Sequence, residues 1–394
     1  MTVQTKAFKR GVPINHNQTV VTNRVKRGIS LNHNQTAVEN GQAAPTPEAI
    51  QDYSQKVVGF ASGHYVSMMV HLGDRLGLYK ILAESGDVTV DELAEKTGLH
   101  RRWLLEWLRN QASAGLIEYK GGDIFALPLA AVPIIVDDTS PANLAGFFNH
   151  PIPPEAIDRI AEAFHTGLGP TYDDQGIQCA CNIKRLTAPG HGMLPEFFKR
   201  ADGLTERLEA GAKVIDVGCG TGDALRVLAH QYPNSTFVGY DPSAIGIEMA
   251  QDAARAEALT NVSYIVARGE DLPQTAEFDV VLTLDCLHDM TFPQQVINAI
   301  RGTIKPDGIW IIKDIRSSHK FEDNLANPAS PLLYGISILV CMASALSEPG
   351  GAGLGTLGFN PVLGQQMTQA GGFSSFKQLD IEEDPMNYYY QVRI

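Results

Sequence analysis

The stretch that decides the fold reads Lys213-Val-Ile-Asp-Val-Gly-Cys-Gly-Thr-Gly222. A short apolar run leads directly into a loop that carries Gly218, Gly220 and Gly222. This order predicts a buried strand, a tight turn and then a helix, as at the start of a nucleotide-binding α/β sheet. The glycine spacing differs from the Gly-x-Gly-x-x-Gly of pyrophosphate-binding loops. Asp216, two residues before the first glycine, would repel a pyrophosphate but suits a ligand with an ammonium group.

A second carboxylate follows the next predicted strand, which runs from Ser235 to Tyr240. Asp241 comes 19 residues after Gly222. An acid at the tip of the second strand is placed to accept hydrogen bonds from both hydroxyls of a ribose. A ligand with both an ammonium group and a free ribose describes S-adenosylmethionine. The loop and the two acids together therefore predict a site for this cofactor.

The alternation of strand and helix continues from residue 211 onward, which predicts a parallel sheet with helices on both faces. The fourth strand of this pattern, Phe278 to Leu284, runs into Asp285-Cys-Leu-His-Asp-Met290. Ligands bind at the carboxyl ends of the strands in such sheets, so His288 and Asp289 are predicted to lie over the cofactor site. A histidine whose pKa is near neutrality suits removal of a proton from an acceptor.

Residues 206–394 resemble class I S-adenosylmethionine-dependent methyltransferases. The resemblance implies a Rossmann-like α/β domain with a seven-stranded sheet whose last strand is antiparallel. It also implies the cofactor contacts, which would be Asp216, Gly218, Cys219, Gly220, Gly222, Asp241, Pro242, Glu270, Asp271 and Asp285. Arg268 stands where the family usually has the acid that contacts adenine, so Glu270 or Asp271 would serve instead, and Glu270 is favoured.

The chain also resembles small-molecule O-methyltransferases that have an N-terminal winged-helix dimerisation domain. In that family the histidine of the Leu-His-Asp sequence after the fourth strand is the general base, a role that falls here on His288. Asp314, at the end of the fifth strand, or Asp289 would orient it. The simpler interpretation is that His288 only caps the following helix. A further resemblance, over residues 55–394, is to winged-helix methyltransferases of mostly unassigned substrate, some of them labelled as regulators.

The winged-helix resemblance rests on residues 48–130, a mainly α-helical region. Thr89 and Glu92 have the spacing of a helix capping box. The next predicted helix, His100 to Ala114, has Trp103 and Trp107 on its apolar side, and two short strands follow around Gly121-Gly122. Arg101 and Arg102 at the start of that helix could contact DNA, but the acidity of the chain disfavours this.

Residues 1–47 form a basic tail with a two-copy repeat, KRGVPINHNQTVV at residues 9–21 and KRGISLNHNQTAV at residues 26–38. Its polarity and lack of periodicity predict disorder, although a recognition, processing or modified-peptide segment is an alternative. Residues 131–205 are predicted to be a helical linker. His165, Tyr172 and His191 in this linker could close over an acceptor, but ordinary linker positions are the favoured interpretation.

The composition bounds the function of the chain. It has 394 residues, and 44% of them are hydrophobic, which argues against wholesale disorder. The net charge of −13 argues against a protein that coats nucleic acid or binds anionic membranes. The five cysteines are scattered, so we expect no disulfide framework and a cytoplasmic protein. They also lack the spacing of zinc ligands, so we expect no metal. The longest apolar run, residues 331–346, is too short to span a membrane.

Taken together, the sequence predicts transfer of a methyl group from S-adenosylmethionine to a small apolar or aromatic acceptor, most simply at oxygen. The segment from Asp314 to Gly358 would form a lid over this acceptor, and residues 388–394 would form the closing edge strand. The partners expected are the acceptor and a second copy of the chain, but no DNA or membrane. The alternatives are a cofactor-sensing winged-helix regulator and a methyltransferase acting on peptides or proteins.

Overall fold

The computed structural model describes residues 44–148 and 152–394. The described residues fall into two units, which divide between Ser62 and Gly63. Helix α1, Pro47–Arg75, begins in the first unit and ends in the second. The repeat-bearing tail predicted over residues 1–47 lies outside the described residues, except for its last four. Its disorder therefore stays a prediction.

The N-terminal part of the second unit has the order of elements expected of a winged helix. After α1, these elements are α2 (Leu78–Ser85), β1 (Val88–Thr89), α3 (Val90–Thr97), α4 (Arg101–Ser113), β2 (Glu118–Gly121) and β3 (Ile124–Ala126). The strands pair in the order β1-β3-β2, and both pairs are antiparallel. Gly121 and Gly122 adopt φ angles of 93° and 58° in the wing turn, a region that favours glycine.

The start of α3 is stabilised as the sequence predicts. The Thr89 side chain accepts a hydrogen bond from the Glu92 backbone N–H, and the Glu92 carboxylate accepts one from the Thr89 N–H. The prediction for α4 is only half right. Trp107 is buried and its indole N–H donates to the Met69 carbonyl at 2.8 Å, but Trp103 is 78% exposed. Helical spacing put both rings on one broad face, and only the inner part of that face reaches the core.

A mostly helical segment connects this region to the second sheet. Its elements are a 3₁₀ turn at Leu129–Ala131, a π turn at Val132–Val136, a 3₁₀ turn at Ala145–Phe148, α5 (Pro154–Thr166), α6 (Tyr172–Gly192) and α7 (Leu194–Phe198). A capping box between Thr171 and Asp174 starts α6. Gly176 (φ 78°) breaks the helical geometry of α6 one turn later.

A seven-stranded sheet forms the centre of residues 204–394. Its strands are β4 (Lys213–Val217), β5 (Thr236–Asp241), β6 (Val262–Val266), β7 (Phe278–Leu284), β8 (Ile304–Ile315), β9 (Ser375–Leu379) and β10 (Asn387–Arg393). The order is β6-β5-β4-β7-β8-β10-β9, and β10 runs antiparallel to both of its neighbours. The expected Rossmann-like sheet with an antiparallel last strand is confirmed. The expectation that residues 388–394 form an edge strand is wrong, because β10 lies inside the sheet and β9 forms the edge.

The sheet is buried on both faces, which explains its nearly continuous apolar strands. Neighbouring residues of β7 illustrate this, since Val280 and Leu282 join one apolar cluster while Val281 joins the other. Trp310 of β8 packs on the same side as Val281 and is fully buried.

Helices cover both faces of the sheet. They are α8 (Leu204–Ala210), α9 (Asp223–Gln231), α10 (Ala244–Ala256), α11 (Pro293–Thr303), α12 (Phe321–Asn324), α13 (Ser330–Ile336), α14 (Met342–Ala345) and α15 (Pro361–Ala370). The long apolar run predicted as part of a lid forms α13 and α14, joined by a π turn at Ser337–Cys341. Among the described residues, none of the helices combines the length and apolar character needed to cross a bilayer.

Candidate active site

The loop after β4 is built around glycines that other residues could not replace. Gly218 has a φ angle of 83°, and a Cβ there would lie 2.8 Å from the Cβ of Cys286. Gly222 has a φ angle of 71°, and a Cβ there would lie 2.5 Å from the Tyr264 ring. The loop therefore needs both the left-handed backbone and the missing side chain. Cys219 packs its side chain over Gly239 of β5, where a Cβ would meet its sulfur.

Asp241 braces this loop from the end of β5. One carboxylate oxygen accepts a hydrogen bond from the Gly220 N–H at 2.8 Å, and the other accepts one from the Ser243 N–H at 2.8 Å. Burial raises the pKa of Asp241, and the two N–H donors oppose that shift. A carboxylate has about four lone-pair sites, so two acceptor positions remain for a ligand. Pro242, the next residue, is exposed beside the loop.

Asp216 is the buried acid in front of the first glycine. It is almost fully shielded from solvent, and its Oδ1 has no hydrogen-bond partner among the described residues. Burial, helped by the negative charge of Asp241, raises the pKa of Asp216 to about 8. A buried carboxyl oxygen without a partner is costly, so this position suits a donor supplied by a ligand.

The acids proposed for adenine lie in the 3₁₀ turn Gly269–Asp271, which follows β6. Arg268 pairs with Glu270 at 3.3 Å and with Glu348, from the glycine-rich segment of the insertion, at 2.5 Å. Glu270 is partly buried by these contacts, whereas Asp271 is exposed. The choice between the two acids stays a prediction.

His288 and Asp314 form a buried pair at the ends of β7 and β8. The imidazole Nδ1 lies 2.7 Å from the Asp314 Oδ1, and both side chains are 3% exposed or less. Burial disfavours the charged imidazolium, but the Asp314 carboxylate outweighs it, so the pKa of His288 lies well above its ordinary value. Asp314 also accepts a hydrogen bond from the Ile315 N–H at 2.8 Å, which fixes the carboxylate in place.

Asp289, which the sequence left open as a residue that orients His288, is not the partner of the imidazole Nδ1. Its carboxylate instead accepts a hydrogen bond from the Tyr172 hydroxyl at 2.5 Å, across 117 residues of sequence. Burial, only partly offset by His288 and Tyr172, raises the pKa of Asp289 to about 7. Tyr172, favoured above as an ordinary linker position, thus lies at the candidate site and lines its cavity. His165 is exposed, while His191 is enclosed, and its pKa is lowered by burial and by the positive charge of Lys313.

Asp285 and Lys313 form a second buried pair in the same place. The Lys313 ammonium lies 2.5 Å from one Asp285 oxygen, and the Asp285 N–H donates to the Lys313 carbonyl at 2.8 Å. Asp285 has a φ angle of 57°, an unusual backbone conformation for a residue other than glycine. Burial raises the pKa of Asp285 and Lys313 opposes the shift. Lys313 is not among the residues predicted from the sequence, although a lysine directly after the apolar run Ile309-Trp-Ile-Ile312 indicates a buried charge.

A cavity of about 1540 Å³ opens beside these groups. It is lined by Asp285, His288, Asp289, Lys313 and Tyr172, together with apolar residues of α5, α6, α13 and the following π turn. The insertion between β8 and α15 therefore forms one wall of the site, as a lid over an acceptor would.

One group of side chains in the described part of the chain could hold a metal ion. His288, Asp289 and Cys341 bring ligand-type atoms within 4.8 Å of one another. The Cys341 thiol lies within hydrogen-bonding reach of the imidazole. A metal bound to the free ring nitrogen would prevent His288 from accepting a proton. The expectation of no metal stays a prediction.

Two family models match the chain. Residues 208–344 match a methyltransferase domain, and residues 64–131 match an Rv2258c-like winged HTH domain.

Curated relatives match about a third of the chain. Methyltransferase GfsG of Streptomyces halstedii is 31% identical over 136 residues, which are 34% of this chain and 47% of that protein. A ubiquinone biosynthesis O-methyltransferase of Pseudomonas fluorescens is 34% identical over 126 residues, which are 31% of this chain and 52% of that protein. The chain thus spans about half the length of the curated relatives that it matches.

Solved structures share the fold over most of the chain. The mitomycin 7-O-methyltransferase MmcR has a TM-score of 0.63 at 18% identity, covering 89% of this chain and 100% of that one. Human N-acetylserotonin methyltransferase, solved in complex with S-adenosylmethionine, has a TM-score of 0.62 at 14% identity, covering 89% and 99%. These likenesses confirm the predicted fold class. Residues 208–344 of the chain therefore form a methyltransferase domain, and residues 64–131 form an Rv2258c-like winged helix-turn-helix domain.

Proposed function

We propose that this protein transfers the methyl group of S-adenosylmethionine to an oxygen atom of a small apolar or aromatic acceptor. The observation that carries this proposal is the buried His288–Asp314 pair, which lines a large cavity with mainly apolar walls. Oxygen as the target is supported by the O-methyltransferases among the relatives and the structural neighbours.

The residues of the glycine loop fit the cofactor. The unpartnered Oδ1 of Asp216 would receive the ammonium group, and the free lone pairs of Asp241 would receive the ribose hydroxyls. Gly218, Cys219, Gly220 and Gly222 leave room for a ligand against the backbone. The remaining contacts proposed for the cofactor are Pro242, Glu270, Asp271 and Asp285. When bound, S-adenosylmethionine supplies a methyl group on a positively charged sulfur.

The chain's own part in the reaction is positioning and proton removal. The cavity walls would align the acceptor, which provides most of the acceleration in a displacement of this kind. His288 would take the acceptor's proton at the ring nitrogen not bonded to Asp314. Asp314 holds the tautomer in which Nδ1 carries the proton, and it stabilises the imidazolium that forms. Asp289, held by Tyr172, lies next to this base.

The contacts of α4 give the DNA-binding alternative no support. Arg101 pairs with Asp91 at 2.6 Å, and Arg102 pairs with Glu106 at 2.5 Å. Arg109 also lies 3.8 Å from Asp123. Phosphate contacts need free cationic side chains on the recognition helix, and these three face carboxylates. The homodimer and the cytoplasmic location stay predictions.

Thermal unfolding with and without S-adenosylmethionine and its demethylated product tests cofactor binding. A ligand at 100 times its dissociation constant should add about 2.7 kcal/mol of stability. We expect this stabilisation in the wild type and its loss in Asp241→Ala. Asp252→Ala, on the exposed face of α10, is the matched control and should behave as wild type. Absence of a shift in the wild type would contradict the cofactor assignment.

Transfer of a labelled methyl group to a panel of phenols tests the reaction itself. His288→Ala should keep the thermal shift given by the cofactor and lower turnover by roughly 10²–10⁴-fold, the range for loss of a general base. Unchanged turnover in this variant would mean that another group removes the proton of the acceptor. Labelling of the protein chain rather than a phenol would favour the alternative of peptide or protein methylation.

A further inference from the structure

The cavity beside His288 is larger than a single aromatic ring requires. Its volume is about 1540 Å³, whereas pockets for drug-sized ligands enclose roughly 300–1,000 Å³. Of the ten residues proposed above for the cofactor, Asp285 alone is among the described residues that line the cavity. Most of the volume therefore belongs to the acceptor.

The walls of the cavity are suited to a long apolar body. Helices of the connecting segment and of the insertion supply aliphatic side chains to it, among them Ile160 of α5, Leu186 of α6 and Ile336 of α13. The buried charged pairs come instead from the carboxyl ends of β7 and β8. An acceptor that satisfies both kinds of surface has one polar reactive group and an apolar remainder.

The mouth of the cavity is apolar too. Four aliphatic side chains both line the cavity and are 44–54% exposed, which locates them where it opens to solvent. They are Leu144, Ile152, Ile177 and Leu332. Exposed apolar side chains gathered around a cavity commonly mark a ligand-binding surface. A rim of this kind lets an apolar chain continue outward from the reaction centre.

We propose that the acceptor is an amphipathic phenol whose hydroxyl lies at His288 and whose long alkyl or isoprenoid chain fills the cavity up to this rim. The proposal rests on the proposed function, because it names the substrate class of the same site. Each methylene buried along the cavity should raise affinity by about fourfold, the free energy of transferring one CH₂ from water expressed as a ratio.

Gly335 is a position at which a larger side chain would reduce the volume of the cavity. It lies in α13, lines the cavity and has ordinary helical geometry, and a Cβ there would meet no atom within 4 Å. A larger side chain at 335 can therefore enter the cavity without backbone strain. Gly192, the last residue of α6, is exposed, equally open around its Cβ and not among the lining residues, so it offers a matched control.

The test measures binding of 4-butylphenol, 4-hexylphenol and 4-octylphenol by calorimetry, with the demethylated cofactor present so that no turnover occurs. We expect wild-type affinity to rise by about fourfold per methylene along this series. Gly335→Phe should lower octylphenol affinity at least tenfold and butylphenol affinity less than twofold, while Gly192→Phe keeps the wild-type series. Leu332→Gln at the exposed rim is a second variant, and it should weaken octylphenol more than butylphenol.

Equal affinities along the series, or equal losses for all three phenols in Gly335→Phe and Leu332→Gln, would overturn the proposed acceptor class. Methyl transfer to short phenols would still uphold the proposed function in that case. Chain-length-dependent binding without any methyl transfer would show that amphipathic phenols bind the cavity as ligands, and it would contradict both the proposed function and their role as acceptors.

Discussion

Asp216 is a residue that suits ligand binding but lowers the stability of the cofactor-free protein. Its carboxyl group is buried, one oxygen has no described partner, and its pKa is about 8. A raised carboxyl pKa means that the folded protein holds a proton that the unfolded chain has already lost between pH 4 and 8. Stability of the cofactor-free protein should therefore fall as the pH rises through this window.

We expect Asp216→Asn to remove the part of this pH dependence that Asp216 causes, because the amide does not ionise, while Asp289, whose pKa is also raised, keeps its own part. The variant should gain stability relative to wild type as pH rises from 5 to 8, by up to about 1.4 kcal/mol per pH unit. It should also lose the stabilisation that the cofactor gives. Unfolding curves at several pH values, with and without cofactor, measure both effects. Asp252→Asn on α10 is the control, and a slope as steep in Asp216→Asn as in the wild type would show that other groups cause it.

Asp314 should determine the pH at which the enzyme works. His288 must be neutral to accept a proton, and the neighbouring Asp314 carboxylate raises its pKa. The rate should therefore rise with pH up to that raised pKa. In Asp314→Asn the rise should occur at lower pH, and the plateau should fall by no more than the roughly 10²–10⁴-fold that loss of a general base costs.

The pH–rate profile of kcat separates the position of the rise from the height of the plateau. Asp307→Asn, an exposed position on the same strand, serves as the control. If the rise keeps its position in Asp314→Asn, the carboxylate is not what raises the pKa of His288.

Local sequence predicts the site residues that directly follow a strand. It does not predict those that come from helical segments distant in the chain. The glycine loop, Asp241 and His288 all stand directly after strands, so their meeting at one edge of the sheet follows from the topology. Tyr172 comes from a helix that lies 117 residues before its partner Asp289. Cys341 comes from a helical turn that lies 53 residues after His288. No local pattern encodes that approach.

At the scale of elements, capping and turn signals act over three or four residues and could be predicted from sequence. The capping box of α3 and the glycine turn of the wing are present. The buried face of α4 was only partly predictable, because spacing gives the direction of a face but not its width, and Trp103 lies beyond the edge that packs.

Loss of the cap should destabilise the winged-helix region. We expect Thr89→Ala to lower the free energy of unfolding by about 1 kcal/mol, because the N–H of Glu92 loses its acceptor. Urea denaturation followed by circular dichroism measures this. Glu95→Ala on the exposed side of α3 should change stability by less than about 0.5 kcal/mol. Equal effects of the two variants would contradict a role for the cap.

At the scale of the whole molecule, the part of α1 in the first unit carries an exposed apolar face. Tyr53, Val57 and Phe60 repeat at helical spacing, and each is more than half exposed. We expect this face to be covered by a second copy of the chain. Light scattering should then give twice the monomer mass, and Phe60→Glu should shift the protein toward monomer.

Gln55→Glu changes the charge of an exposed residue of the same helix and should leave the mass unchanged. A monomer mass for the wild type at every concentration would rule out the dimer.

Sequence could predict the fold at this scale because the glycine loop and the two carboxylates identify the type of sheet. The order of its last strands was not predictable locally, since pairing of β10 with β8 joins residues 72 to 82 positions apart.

The place of β10 inside the sheet bears on how the protein is made in the cell. During translation β8 and β9 emerge before the strand that must lie between them, and β8 carries the apolar sequence Ile309-Trp-Ile-Ile312. Until residues 387–393 leave the ribosome, β8 has an open edge that can pair with another nascent chain. A ribosome-bound chain halted at residue 380 should therefore remain sensitive to protease and recruit chaperones, and folding of the domain should finish only after synthesis of its final strand.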